Sequence, residues 1–117
     1  MGRARKVGQG SKWIRRSSRF AIYHRDGFAC VYCAARAVDC VVLTLDHVTP
    51  CELGGTNEAT NLVTACLSCN SAKRALALRD WLDTIRDRGV DTNGMAARIR
   101  RLTARKLDRN EGRRLAA

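Results

Sequence analysis

The 117-residue sequence is poor in the residues from which a large core is built. Phe, Trp and Tyr together make up 5% of it, two of each. A single domain of this length buries a modest core, and folds of this kind often recruit a metal or disulfides as a staple. No apolar run approaches the ~18 residues that a membrane span requires. No apolar stretch follows the basic N-terminus to make a signal peptide, so a soluble, cytoplasmic protein with no membrane partner is expected. There is no internal repeat. Acids are absent from residues 1–25, which carry eight Lys or Arg.

What is abundant is positive charge, +11 in all. It is unevenly placed. Residues 26–69 hold Arg36 against Asp26, Asp39, Asp46, Glu52 and Glu58, whereas residues 70–117 hold thirteen bases and six acids. A mildly acidic middle between two basic arms suits a cation-binding site held against a phosphate backbone, and nucleic acid is the expected partner.

The order of elements follows from pattern. Residues 1–12 are Gly-rich, basic and aperiodic, and read as an arm without fixed structure. Ser17 or Ser18 can cap a helix that runs to about Arg25, before a turn at Asp26-Gly27. Val41 to Asp46 and Leu62-Val63-Thr64 read as strands, joined by a long loop containing Pro50 and Gly54-Gly55. Leu78, Trp81, Leu82 and Ile85 fall on one helical stripe that stops near Gly89, and Met95, Ile99 and Leu102 continue helical spacing on an arginine-rich face. The expected division is a basic N-terminal arm over 1–16, a central folded domain over 17–88 and a basic helix or tail over 89–117.

Six cysteines in a reducing compartment suggest metal ligands more than disulfides. Cys30-x2-Cys33 and Cys66-x2-Cys69 are two knuckles that can complete a tetrahedral four-thiolate site. Zinc suits it, in a structural role, because four thiolates leave the ion no position for water. Cys40 and Cys51 stand alone and are expected to be ordinary buried cysteines.

Between and just after the knuckles come Asp46-His47, Gly54-Gly55-Thr56-Asn57, Asn61-Leu62, and Cys66-x2-Cys69-Asn70-x2-Lys73. This ordered set resembles the HNH nuclease family over roughly residues 19–75. The chemistry of the residues points the same way. A neutral imidazole at His47 can take a proton from water. Asp46, one position earlier on a strand, faces the other side and can bind a metal. Asn70 offers a second oxygen, and such a hard, sparse set suits Mg2+ or Mn2+, at a place separate from the zinc.

The resemblance implies a small α+β fold, a ββα-metal core with two zinc knuckles, flanked by helices and basic arms. It implies His47 as general base, Asp46 and Asn70 as ligands of the catalytic ion, and Asn61 as the residue that ties the loop and orients the imidazole. Lys73, on nearly the same helix face as Asn70, is assigned to the scissile phosphate or the transition state. The sequence departs from the family pattern in one respect. Many members place a His at the position of Asn70, and some add another where this chain has Arg74.

The function so implied is metal-dependent hydrolysis of DNA phosphodiester bonds, the DNA being double-stranded and held by the N- and C-terminal arms. One site cuts one strand, so a double-strand break calls for a dimer or two events. The small size suits a phage or mobile-element role with a packaging partner. The competing readings are a zinc-stapled binding module that does not cut, and a partner-dependent subunit of a larger machine.

Overall fold

The computed structural model describes residues 14–117. The expected N-terminal arm and Trp13 lie almost wholly outside them. Helix α1 spans Arg16–Arg25, strand β1 Leu43–His47, strand β2 Leu62–Cys66, helix α2 Leu67–Lys73, helix α3 Leu78–Asp87, helix α4 Met95–Ala104 and helix α5 Arg109–Ala116. β1 and β2 pair antiparallel, with Leu43 opposite Cys66, Leu45 opposite Thr64 and His47 opposite Leu62. α2 begins on the residue after β2, so strand, strand and helix form one continuous ββα unit. The fold is a small α+β one, as the sequence implies.

Alternation along the two strands divides the molecule. Leu45 and Leu62 are fully buried in one cluster with Ile22 and Tyr23 of α1. Val63 and Ala65 point the opposite way and join Tyr32, Trp81, Ile85, Met95 and Ile99 in the larger cluster. All five residues of β2 are buried, because helices cover both faces of the sheet. Trp81 and Tyr32 meet edge to face at 5.7 Å between ring centroids. Such contacts add about 0.5–1.5 kcal/mol beyond the area buried, a useful amount for a chain with so few aromatics.

Helix boundaries follow local chemistry. α3 carries the apolar stripe expected of it, with Trp81 and Ile85 buried. It ends where Gly89 takes φ +96° and the Val90 amide returns to the Ile85 carbonyl at 3.0 Å, a left-handed termination that glycine adopts at little cost. α1 differs from expectation at its start. Its N-cap is Arg15, with no side-chain cap, and Ser17 and Ser18 lie within the first turn. β1 begins two residues later than Val41: Leu67, in register opposite Val42, donates to its carbonyl at 2.9 Å but already starts α2.

The segment after Gly89 is two helices, and both pack into the body. Met95 and Ile99 of α4 belong to the main core, and Arg98 donates to the Val31 carbonyl. α5 lies on α1 through Gly112, where an added Cβ would come within 2.4 Å of the Ser17 carbonyl oxygen and 2.8 Å of the Ala21 Cβ. Asp108 caps α5, its carboxylate accepting from the Glu111 amide at 3.0 Å. Periodicity alone gave no sign of α5, an eight-residue helix with a glycine in its middle.

One basic residue of the N-terminal region is unavailable to a nucleic acid. Arg25 is buried, and its side chain grips Asp26 at 2.7 Å with both side chains at or below 1% exposure. It also donates to the carbonyls of Ala59 (3.0 Å) and Leu62 (2.7 Å), while Asp26 accepts from the Thr64 amide at 2.8 Å. The network bolts the end of α1 to β2. Removing one partner of a buried pair leaves the other charge uncompensated, typically at a cost of about 3–5 kcal/mol. Arg25→Ala is therefore expected to lower the unfolding free energy by about that amount, measured by denaturant titration with zinc present; a loss below about 1 kcal/mol would refute the bolt.

Candidate active site and metal centre

The two knuckles meet. The sulfurs of Cys30, Cys33, Cys66 and Cys69 all lie within 4.8 Å of one another, and Cys33 and Cys66 are 3.7 Å apart. Tetrahedral thiolates at a Zn–S distance of ~2.3 Å sit about 3.8 Å from each other, so this donor set fits zinc in chemistry and in spacing. Local backbone prepares it. The Cys30 sulfur accepts from the Tyr32 amide at 3.4 Å, and the Cys66 sulfur, as N-cap of α2, accepts from the Cys69 amide at 3.3 Å. The hydrogen bond from the Cys69 thiol lowers the Cys30 pKa to about 5 against the opposing effect of burial, and the same bond raises that of Cys69. The thiolate is the form in which cysteine binds zinc, so a lowered Cys30 pKa favours holding a cation. Cys40 and Cys51 are not part of it, and both are exposed, contrary to the expectation that they are buried.

The start of α2 lies beside the end of β1. Asp46 is buried at 2% exposure. One of its oxygens, Oδ2, accepts from the Tyr32 hydroxyl at 2.6 Å and lies 3.4 Å from the Lys73 ammonium; its other oxygen makes no hydrogen bond among the described residues. Burial pushes the Asp46 carboxyl above its ordinary value, and Lys73 and then Tyr32 pull it back. Burial and the neighbouring carboxylate hold the Tyr32 phenol well above its own, so Tyr32 remains a neutral donor.

Asn70 donates from Nδ2 to the Thr44 hydroxyl at 2.8 Å and to the Leu45 carbonyl at 3.0 Å. Its Oδ1 makes no hydrogen bond among the described residues. Thr44 and Asp46 share a face of β1 by alternation, so Asn70 and Asp46 stand on the same side of the sheet, against α2.

Lys73 is fully buried. Its ammonium donates to the His47 carbonyl at 2.9 Å and faces Asp46. It is thus placed to brace the backbone of Asp46 and His47, and it does not point into solvent where a phosphate would lie.

His47 is partly exposed, and its Nε2 is 2.7 Å from Asn57 Oδ1. With that oxygen as acceptor, the neutral ring carries its proton on Nε2 and its lone pair on Nδ1. Asn61 ties the loop: its Oδ1 accepts from the Thr49 amide at 2.9 Å, and its Nδ2 donates to the carbonyls of Thr49 (3.0 Å) and Thr56 (2.8 Å). Gly54 takes φ +95°. Gly55 sits where an added Cβ would fall 1.7 Å from the Thr49 carbonyl oxygen, so the glycine pair is what lets the loop fold this tightly. The tie holds Thr56, and through it Asn57, against the imidazole.

Tyr32 and Asn57 are the residues that sequence reasoning missed. Tyr32 lies inside a knuckle whose cysteines drew the attention. Asn57 follows the glycine pair closely enough to be suspected, but only the folded loop brings it to His47. His24 on α1 is exposed and lies apart from this site.

Comparison with known proteins yields one finding. Residues 30–76 match the family model of the HNH endonucleases. No curated protein matches the chain, and no solved structure does. The matched span runs from the first cysteine of the cluster through β1, the tied loop and β2 to just past Lys73: this stretch is similar to the HNH endonucleases and is organised around four cysteines that can hold a metal.

Proposed function

We infer that the chain is a metal-dependent DNA endonuclease in which His47 is the general base. The observation that carries this reading is the imidazole itself, aimed by Asn57 at the end of a strand whose preceding residue, Asp46, is a buried carboxylate on the opposite face. Phosphodiester hydrolysis requires a base for the attacking water and positive charge near the phosphate. The tautomer set by Asn57 makes Nδ1 the proton acceptor. Asn61 keeps the loop, and so Asn57, in register with the ring.

Asp46 and Asn70 are the residues that would hold a divalent ion, through the oxygens that make no hydrogen bond among the described residues. Two neutral-to-anionic oxygens with water completing the shell suit Mg2+ or Mn2+ over softer ions. When bound, the ion would supply charge stabilisation at the phosphate and leaving oxygen. Tyr32 and Lys73 fix the Asp46 carboxylate from behind, which makes Lys73 a positioning residue in place of the phosphate contact assigned from sequence. Zinc at the four cysteines is structural in this reading, since it holds β2 and α2 at the angle that brings Asn70 beside β1. Double-stranded DNA is the substrate best matched to the excess of basic residues.

The reading is tested by cleavage of supercoiled plasmid with Mg2+ or Mn2+. Wild type is expected to relax or linearise the plasmid, and His47→Ala to lose the activity by about 10^3-fold, within the range for a general base, with zinc content unchanged. A folded wild type that binds DNA and leaves it intact under both metals overturns the nuclease in favour of a binding module or a partner-dependent subunit.

Gly55→Ala tests the loop separately. The methyl group cannot coexist with the Thr49 carbonyl, so the tie opens and the Asn57–His47 contact is lost. Activity is expected to fall at least 10-fold while the zinc-stapled core keeps its stability to within about 1 kcal/mol, because loops open locally at little global cost. Unchanged cleavage would show that the loop does not orient the base.

A further inference from the structure

On the far side of the sheet from the cysteine cluster, the start of α1 and the side of α5 enclose a cleft of about 250 Å³ lined by Arg15, Ser17, Ser18, Arg109 and Arg113. Three arginines line it, one at the N-cap of α1 and two on α5, together with two serines. No acid lines it. The nearby carboxylates are engaged elsewhere: Glu111 is held by Arg114 through Nε at 2.8 Å, and Asp108 is occupied in capping α5. Arg109 donates to the Ser18 hydroxyl at 3.3 Å and Arg113 to the Asn110 side chain, so neither has an acidic partner among the described residues.

The arrangement is built, because the close Gly112 contact sets α5 on the first turn of α1 and Arg16 clasps the Ala116 carbonyl at 3.0 Å. Like charges gathered without a counter-ion repel. The first turn of α1 has no acid and no side-chain cap, so its backbone N–H groups add to the positive potential.

We propose that this α1–α5 cleft is an oxyanion site that takes a backbone phosphate of the bound nucleic acid, apart from the phosphate being cut. The assignment rests on the reading of the chain as a protein that acts on nucleic acid. Placement supports it. Arg25, at the other end of α1, is bolted to Ala59 and Leu62 beside the tied loop and His47. α1 is ten residues long, about 15 Å at 1.5 Å per residue. The cleft therefore stands off from the candidate active site by a distance of several nucleotides along a strand. Three arginines are the residue type best suited to forked recognition of phosphate. Such a contact gives register and affinity without reading sequence.

Two measurements test the proposal, neither of which depends on cleavage. The first is thermal unfolding of the zinc-loaded protein in inorganic phosphate against chloride at matched ionic strength. The second is binding of a labelled duplex without added divalent ion, across ~50 to ~200 mM salt. Wild type is expected to be stabilised by phosphate, and Arg109→Gln/Arg113→Gln to lose that stabilisation while keeping its melting temperature in chloride. The same double variant should bind duplex about 10-fold more weakly, with the salt slope shallower by about 1, as for one lost phosphate contact. Arg86→Gln/Arg88→Gln, which removes equal charge near the end of α3, should leave the phosphate effect intact.

If both double variants lose duplex affinity equally and phosphate stabilises neither less than wild type, net charge is the whole effect and the site is overturned. Stabilisation by phosphate with an unchanged salt slope would mark a site for free phosphate and refute the backbone assignment. A wild type stabilised by phosphate that binds no duplex at any salt would sink the nucleic-acid reading itself.

Discussion

Four sulfur atoms carry the architecture. Cys30 and Cys33 come from a loop far earlier in the chain than Cys66 and Cys69, and the sulfurs converge within 4.8 Å. Closing so long a loop costs entropy that a core with so few aromatics is poorly able to offset. The cluster holds the first knuckle against the junction of β2 and α2. Everything nearby inherits its position from that junction: Tyr32 is carried to Asp46 by the first knuckle, and Asn70 and Lys73 are carried to β1 by the helix that the second knuckle starts. A metal held by these four sulfurs would thus be a single cross-link that arranges both the core and the polar residues above it.

Around that cross-link, polar side chains are held mostly by other polar groups of the chain. One Asp46 oxygen is held by a phenol and an ammonium, Asn61 by three backbone groups, and the Arg25–Asp26 pair by the carbonyls of Ala59 and Leu62 and the amide of Thr64. Buried networks of this kind are favourable only when fully satisfied. Their cost when broken explains why the segment between the strands, which lacks regular structure over most of its length, can still keep one shape.

Much of this was legible in the sequence, for identifiable reasons. The paired Cys-x2-Cys spacing marks its own geometry, and the stripe through Leu78, Trp81, Leu82 and Ile85 fixes the inward face of α3. The two strands were readable because β-branched and apolar runs between knuckles leave few alternatives. The role of Asn61 as a tie for the loop agrees with its three hydrogen bonds. Other features depend on tertiary contact and left no local mark. Arg25 reads as one more base in a basic stretch, and only the proximity of Asp26, Ala59 and Leu62 turns it inward. Lys73 reads as a phosphate contact, and only β1 closing over it turns its ammonium toward Asp46 and the His47 carbonyl. α5 is invisible to periodicity because its stability comes from the seat that Gly112 makes on α1, and Asn57 acquires a partner only through a loop that a glycine pair allows to fold.

The burial of Lys73 has a consequence for how the molecule can be handled. An ammonium fixed 3.4 Å from Asp46 is an internal counter-ion, so the carboxylate needs no external cation to remain inside the fold. The thiolate cluster has no such substitute. Chelators graded by affinity should then act in two separate stages. On the proposed function, a weak one would strip an ion held loosely by oxygens and leave a folded protein without activity, whereas one strong enough to compete for a metal at the cysteines would take the structure apart.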